Sequence, residues 1–228
     1  MKRVDIFSWL IALAVTLAGC GDGNPNGDVT AGRGGGKAIN GSVRVPAGEH
    51  SGAVGTVNGA VEVGESAVVE KVSDVNGPIE LGAHASASSV DAVNGTVSLG
   101  EAVRVSGGVE TVNGEIKLSR GAEVGGAVRN VNGHIVLNGA HVGGGLRTVG
   151  GDIDVLGGSR VEGGIVVEKS GWFNTDLKKP RIVIGPGATV QGNLHFERPV
   201  QLYVSDKATI GPVSGATPVT FSGEQPPA

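Results

Sequence analysis

The chain has few aromatic residues, 3% of its 228 positions. Large rings usually carry much of the buried area of a globular core. Any core here must therefore be narrow and filled by Val, Ile, Leu and Ala. Cysteine occurs once, at Cys20, so no disulfide within the chain holds the fold. A basic excess is absent too: the formal net charge is −4. That gives nucleic acid no electrostatic footing and is too small for a strong steering field. The apolar run from Phe7 to Leu17 is eleven residues long, short of the roughly 20 that a membrane-spanning helix needs. Runs of ten or more residues at helical period are missing, which argues against a helical repeat.

The chemistry-bearing patterns are also missing. There is no Gly-x-Ser-x-Gly, His-Glu-x-x-His, P-loop or cysteine pair. Glycine-rich calcium-binding nonapeptides are represented only by one imperfect piece, GGDID at 150–154. Sugar-cleaving β-helices need carboxylate clusters, and the connections here are short. Hexapeptide-repeat acyltransferases share the coil length but not the corner motif, and need a catalytic His beside a cofactor groove. No cofactor is expected, and the chain reads as a non-enzyme.

What the chain has is glycine, 42 residues of it, and a repeat. Val-Asn-Gly or a close variant recurs with its Asn at Asn40, Asn58, Asn76, Asn94, Asn113 and Asn132, and Gly150 takes that place in a seventh copy. The steps are 18, 18, 18, 19, 19 and 18 residues. Four apolar columns keep this register. They lie one residue before the Asn (Ile39, Val57, Val75 onward), three after it (Val43 to Ile153), five after it (Val45 to Val155), and fourteen or fifteen after it (Val54 to Ile165). Local alternation has the period of strands, and Gly, Asn and Ser punctuate it as corners. The arithmetic gives an all-β fold: a single-stranded parallel β-solenoid of 18–19 residues per coil with three short faces. Coils would stack at about 4.8 Å, so like residues lie on like and fill a thin aliphatic core. The Gly allows a positive φ or a close backbone approach. The six Asn side chains are expected to form a ladder, a building block and not a ligand row. Pro78 reads as lying in a strand, where it would delete a ladder donor. With the small residues AHASASS, it marks that coil as the weakest.

The start of the chain reads differently. Lys2 and Arg3 precede the eleven-residue apolar run, as in an export signal. Leu17-Ala18-Gly19-Cys20 resembles the lipobox of bacterial lipoproteins. That resemblance implies cleavage after residue 19, a signal peptide over 1–19, and lipid (palmitate among the acyl chains) on Cys20. The membrane is then a partner through this anchor. Gly21, where an Asp would favour inner-membrane retention, leans toward the outer membrane. Residues 20–38, rich in Gly, Asn, Asp and Pro, bury too little to fold and read as a flexible tether. As a coil, the sixteen residues from Gly21 to Gly36 would span roughly 20–24 Å.

The Val-Asn-Gly copies resemble a putative-adhesin family of bacterial β-solenoids. The segment from Ile182 to Ala216 resembles the Gly-x-Val-x-Gly coils of bactofilins, the polymer-forming cytoskeletal family. Together these cover nearly all of 39–217. The bactofilin resemblance implies a right-handed β-helix that assembles end to end without nucleotide. The export signal departs from that family and points away from a cytoskeletal role.

The solenoid is expected over 39–217, with regular coils to 170 and irregular capping coils over 171–217. Trp172, Phe173, Phe196, Tyr203 and Phe221 would cap the C-terminal end; residues 218–228 read as a disordered tail. The N-terminal coil, 39–54, preceded only by AGRGGGK, is expected to be open and to offer a homo-oligomeric contact. One polar constellation stands out. Glu115, His134 and Asp152 occupy the same outward position on successive coils. An ordinary charge ladder is the first reading, and metal binding the second. The function that follows is a lipid-anchored structural or interaction rod of the cell envelope. The alternative is a polysaccharide-binding or carbohydrate-active β-helix, with cell-wall or surface glycan as partner.

Overall fold

In a computed structural model, residues 26–169 and 178–226 are described. Among them there are only strands, turns and bends, and every strand-to-strand ladder is parallel. The chain winds as a β-solenoid. One face is an eleven-stranded sheet running from Val29–Thr30 through Ile116–Leu118 to Val219–Phe221. A second face holds two-residue strands such as Arg104–Val105 and Glu123–Val124, and a third holds strands such as Val109–Asn113 and Val128–Asn132. The register stacks like on like: Val97 pairs Ile116, Ile116 pairs Ile135, and Asn94 pairs Asn113.

Three of the four apolar columns point inward. Val43 through Ile153, Val45 through Val155, and Val54 through Ile165 are buried. Each buried Val, Leu or Ile contributes about 1.5–3 kcal/mol relative to exposure. The fourth column faces outward. Ile39 is 49% exposed, and Val57, Val75, Val93, Val112, Val131 and Val149 are half-buried. The pleat accounts for this: the buried residue two positions before the Asn leaves its neighbour on the outside. The inward column there is Ala38, Thr56, Asp74, Ala92, Thr111, Asn130 and Thr148. Two further inward columns carry no mark in the Val-Asn-Gly register. One runs Val69, Ala87, Val105, Val124, Val142, Val161 on the second face. The other runs Ala67, Ala85, Val103, Ala122, Ala140 at the corner before it.

The steps of 18 and 19 residues have a structural meaning. Val68–Asn76 and Ser86–Asn94 run unbroken across the second and third faces. From Val105 onward one extra residue enters between these faces, and a glycine corner replaces the straight run. A Cβ on Gly126, Gly144 or Gly163 would lie 2.5–2.8 Å from the backbone of the coil before. Pro78 is not in a strand. It sits exposed in the corner between Asn76 and Ile79, and its carbonyl accepts the Val61 N–H at 3.0 Å. A missing donor there costs the sheet nothing.

The ends also depart from expectation. The solenoid begins well before residue 39. Val29–Thr30 pairs with Val43 and Arg44, and Gly36–Asn40 pairs with the strand Val54–Asn58. An isolated antiparallel bridge between Gly32 and Gly35 folds this segment tightly. Ala31 and Ala38 are buried beneath it. Residues 26–38 are therefore a small first coil rather than tether, and coil 39–54 is not the open end. At the other end, Phe196 and Phe221 are buried. Yet Ile210, Val213 and Ala216 stay half-buried, and Val219 is 50% exposed. Tyr203 lies outside, under the Arg181 guanidinium at 5.5 Å.

Ile135 has no exposed surface and Val136 is its outward neighbour. Ile135→Asp should cost several kcal/mol by burying an unpaired carboxylate, whereas Val136→Asp should cost less than about 1 kcal/mol. Thermal unfolding followed by circular dichroism distinguishes them; equal melting temperatures would mean that the register is wrong.

Candidate functional site

The Val-Asn-Gly corner is built the same way coil after coil. The Asn ends a third-face strand with its side chain outside, and the Gly turns toward the first face. A Cβ on Gly59, Gly77, Gly95 or Gly114 would stand 1.7–2.1 Å from the carbonyl oxygen of the preceding corner glycine. Close approach is what demands glycine there. The Asn side chains then meet in line. Each Nδ2 donates to the Oδ1 of the coil before: Asn40 to Asn26 at 2.8 Å, Asn58 to Asn40 and Asn76 to Asn58 at 3.0 Å. The series continues with Asn94 to Asn76 at 2.9 Å, Asn113 to Asn94 at 3.0 Å, and Asn132 to Asn113 at 3.2 Å. The six expected members are joined by a seventh, Asn26. Its signal in the sequence was the Asn-Gly of NPNGD, hidden among other turn residues.

The constellation of Glu115, His134 and Asp152 does not converge. His134 Nε2 lies 3.1 Å from Asp154, on the next strand, and its Nδ1 is 3.8 Å from Glu115. Glu115 holds Lys117 at 2.7 Å. Asp152 turns away to Lys178 at 3.0 Å and accepts the Arg181 backbone N–H at 2.8 Å. The close Asp154 carboxylate, with Glu115 and Asp152 nearby, raises the His134 pKa despite its partial burial. This is an ion-pair ladder of alternating sign. Among the described residues no group of three or more His, Cys, Asp or Glu side chains is arranged to hold a metal. Other outward columns pair likewise, Arg104 with Glu123 at 3.2 Å and Arg129 with Glu110 at 3.1 Å. Cys20 and the Trp172-Phe173 pair lie outside the described residues.

One ionisable group was missed by sequence reasoning. Asp74 has no exposed surface and is the only ionisable side chain among the buried described residues. Neither carboxyl oxygen has a hydrogen-bond partner. It stacks between Thr56 and Ala92 beneath the corner. Its column shows what that place requires. Thr56 Oγ1 donates to the Gly41 carbonyl at 2.8 Å, and Asn130 Nδ2 donates to the Gly114 carbonyl at 2.7 Å. Each bonds the corner glycine of the preceding coil, while Thr111 Oγ1 in the same column has no partner; the place can use a donor, and a carboxyl supplies one only when protonated. Burial raises the Asp74 pKa to about 7, against a lesser downward pull from the Val75 and Asn76 amides. No charged group faces it from inside the core. The nearest charges in sequence belong to the outward pair of Lys71 and Asp91, 2.8 Å apart.

A carboxyl with a raised folded pKa stabilises the fold while it is neutral, so stability falls as pH rises from the unfolded to the folded pKa. For Asp74 that window runs from about 4 to about 7. The loss across it is on the order of a few kcal/mol. Glu110, raised by burial, and His134, raised by Asp154, push in the same direction. Asp74→Asn should place an amide where Asn130 already has one. It should raise the melting temperature at about pH 8 and reduce the difference between about pH 5 and pH 8; an unchanged pH difference would sink this account.

No family model, no curated protein and no solved structure matches the chain.

Proposed function

We propose that the chain is a non-enzymatic rod of a bacterial cell envelope, tethered by lipid on Cys20 and joined to a second copy of itself through its C-terminal coil. The difference between the rod's two ends carries the self-association. The N-terminal coil closes on Ala31 and Ala38. The C-terminal coil leaves Ile210, Val213 and Val219 partly exposed beside the last strand edge, Val219–Phe221. An unpaired edge next to an unfinished core is the surface that another chain completes. Two copies meeting there form an isologous, closed contact, the default symmetry for such pairs. The anchor rests on the signal and the lipobox-like stretch before Cys20. The absence of an activity rests on the outward polar side chains, which consume one another in ladders.

A shallow groove along the corner between the first and second faces supports the second reading, binding of extended polysaccharide. Arg44, Glu62, Glu80 and Ser98 line it. None of its lining residues is aromatic, so it offers no ring for a sugar to stack on.

Cys20→Ser should leave the protein unacylated and release it from membranes in fractionation at high salt; a variant that stays with the membranes would remove the anchor from this proposal. In light scattering, the detergent-solubilised protein should be larger than a monomer. Val219→Lys, at an exposed position, should reduce it to a monomer with its circular dichroism unchanged. A wild-type protein that stays monomeric at high micromolar concentration would leave a simple tethered spacer.

A further inference from the structure

We propose that Asn132 is a site of spontaneous amide-to-acid conversion, with the interior ladder members, Asn40 to Asn113, protected by their own hydrogen bonds. Asn-Gly is the sequence in which the glycine nitrogen most easily attacks the asparagine side chain, because no Cβ obstructs it. The N–Cγ bond forms, Cγ–Nδ2 breaks, and ammonia leaves with the proton lost from the glycine amide. Water then opens the five-membered imide to aspartate or isoaspartate. The reaction needs a free glycine N–H, an asparagine side chain able to turn, and solvent.

Interior ladder members lack the first two freedoms and have less of the third. The amides of Gly41, Gly77, Gly95 and Gly114 donate to the carbonyl of the next ladder Asn at 3.0 Å, and that of Gly59 at 3.4 Å. Asn40 to Asn113 each donate to one neighbouring amide and accept from the other. Their glycines are half-buried. The pair Asn138-Gly139 is held as well, its glycine N–H bonded to the Leu156 carbonyl at 3.1 Å.

At Asn132 the arrangement ends. The next coil carries Gly150 in place of Asn, so no side-chain amide donates to Asn132 Oδ1. Its one ladder bond, at 3.2 Å, is the longest in the series. Gly133 is exposed where its five counterparts are not, and its N–H makes no hydrogen bond in the structure. The acid formed would face Arg198, whose guanidinium donates to the Val149 carbonyl at 3.0 Å. A Cβ on Gly150 would lie 3.0 Å from Asn132 Oδ1 and 3.9 Å from Arg198 Nη1. The new carboxylate thus has a cation at hand, while isoaspartate would add a backbone atom to the corner.

The test is to incubate the full-length protein in mildly alkaline buffer at physiological temperature and follow each Asn-Gly by peptide mass mapping. Conversion at Asn132 should run at least about tenfold faster than at Asn40, Asn58, Asn76, Asn94 or Asn113, the ratio that one lost hydrogen bond of about 1.4 kcal/mol gives. Equal rates along the ladder, a faster interior position, or no conversion at Asn132 would overturn the proposal. Gly150→Asn supplies the missing amide donor and should slow conversion at Asn132 toward the interior rate. Unchanged conversion at Asn132 in a variant whose circular dichroism is native would also overturn it. In the unfolded protein the differences should vanish.

Discussion

The spacing between hydrogen-bonded parallel strands, about 4.8 Å, governs everything else in this molecule. At that distance a corner carbonyl occupies the space where the next coil's Cβ would be, so the corner must be glycine. The same distance brings side-chain amides into hydrogen-bond range of their copies and puts each outward charge beside the next. The core follows from it too. A narrow tube with one inward residue per column and coil has room for Val, Ile, Leu and Ala, and among the described residues rings enter it only toward the C-terminal end, as Phe196 and Phe221.

Stacking also explains why polar groups behave so differently on the two sides of one strand. Outside, Asn58 and Asn76 satisfy each other and cost nothing to repeat. Inside, one residue pair away, Thr56 and Asn130 reach the corner carbonyls, whereas Asp74 in the same column lacks a partner. A buried donor site tolerates hydroxyl, amide or methyl, but a carboxylate only as the acid.

The period, the strand faces and the three buried columns were legible in the sequence because the fold repeats its environment, and a repeated environment selects repeated residues. The outward Val57 and Val75 misled for the same reason: β-branched residues suit an exposed strand next to a corner as well as a core. Asp74 left no mark, since one residue in an otherwise varied column has no period. The first coil, 26–38, was hidden by composition. Gly35, Gly36 and Ala31 look like tether, but small residues are what a closing coil must use where its backbone folds back on itself. The tail of the charge ladder was illegible for a different reason. Asp154, not Asp152, meets His134 because Lys178 and Arg181, brought in from the far side of a long insertion, claim Asp152.

The Asn ladder has a direction. Every amide from Asn40 to Asn132 points its N–H toward the N-terminal end of the rod and its oxygen toward the other. Amide dipoles aligned head to tail add, as they do along a helix axis, and each polarises the next. A rod whose outward charges pair in ladders therefore also carries a line of partial charge along one edge. Its positive end is at Asn26 and its negative end at Asn132. The Arg198 guanidinium lies at that negative end, the place where a helix would gather a cation.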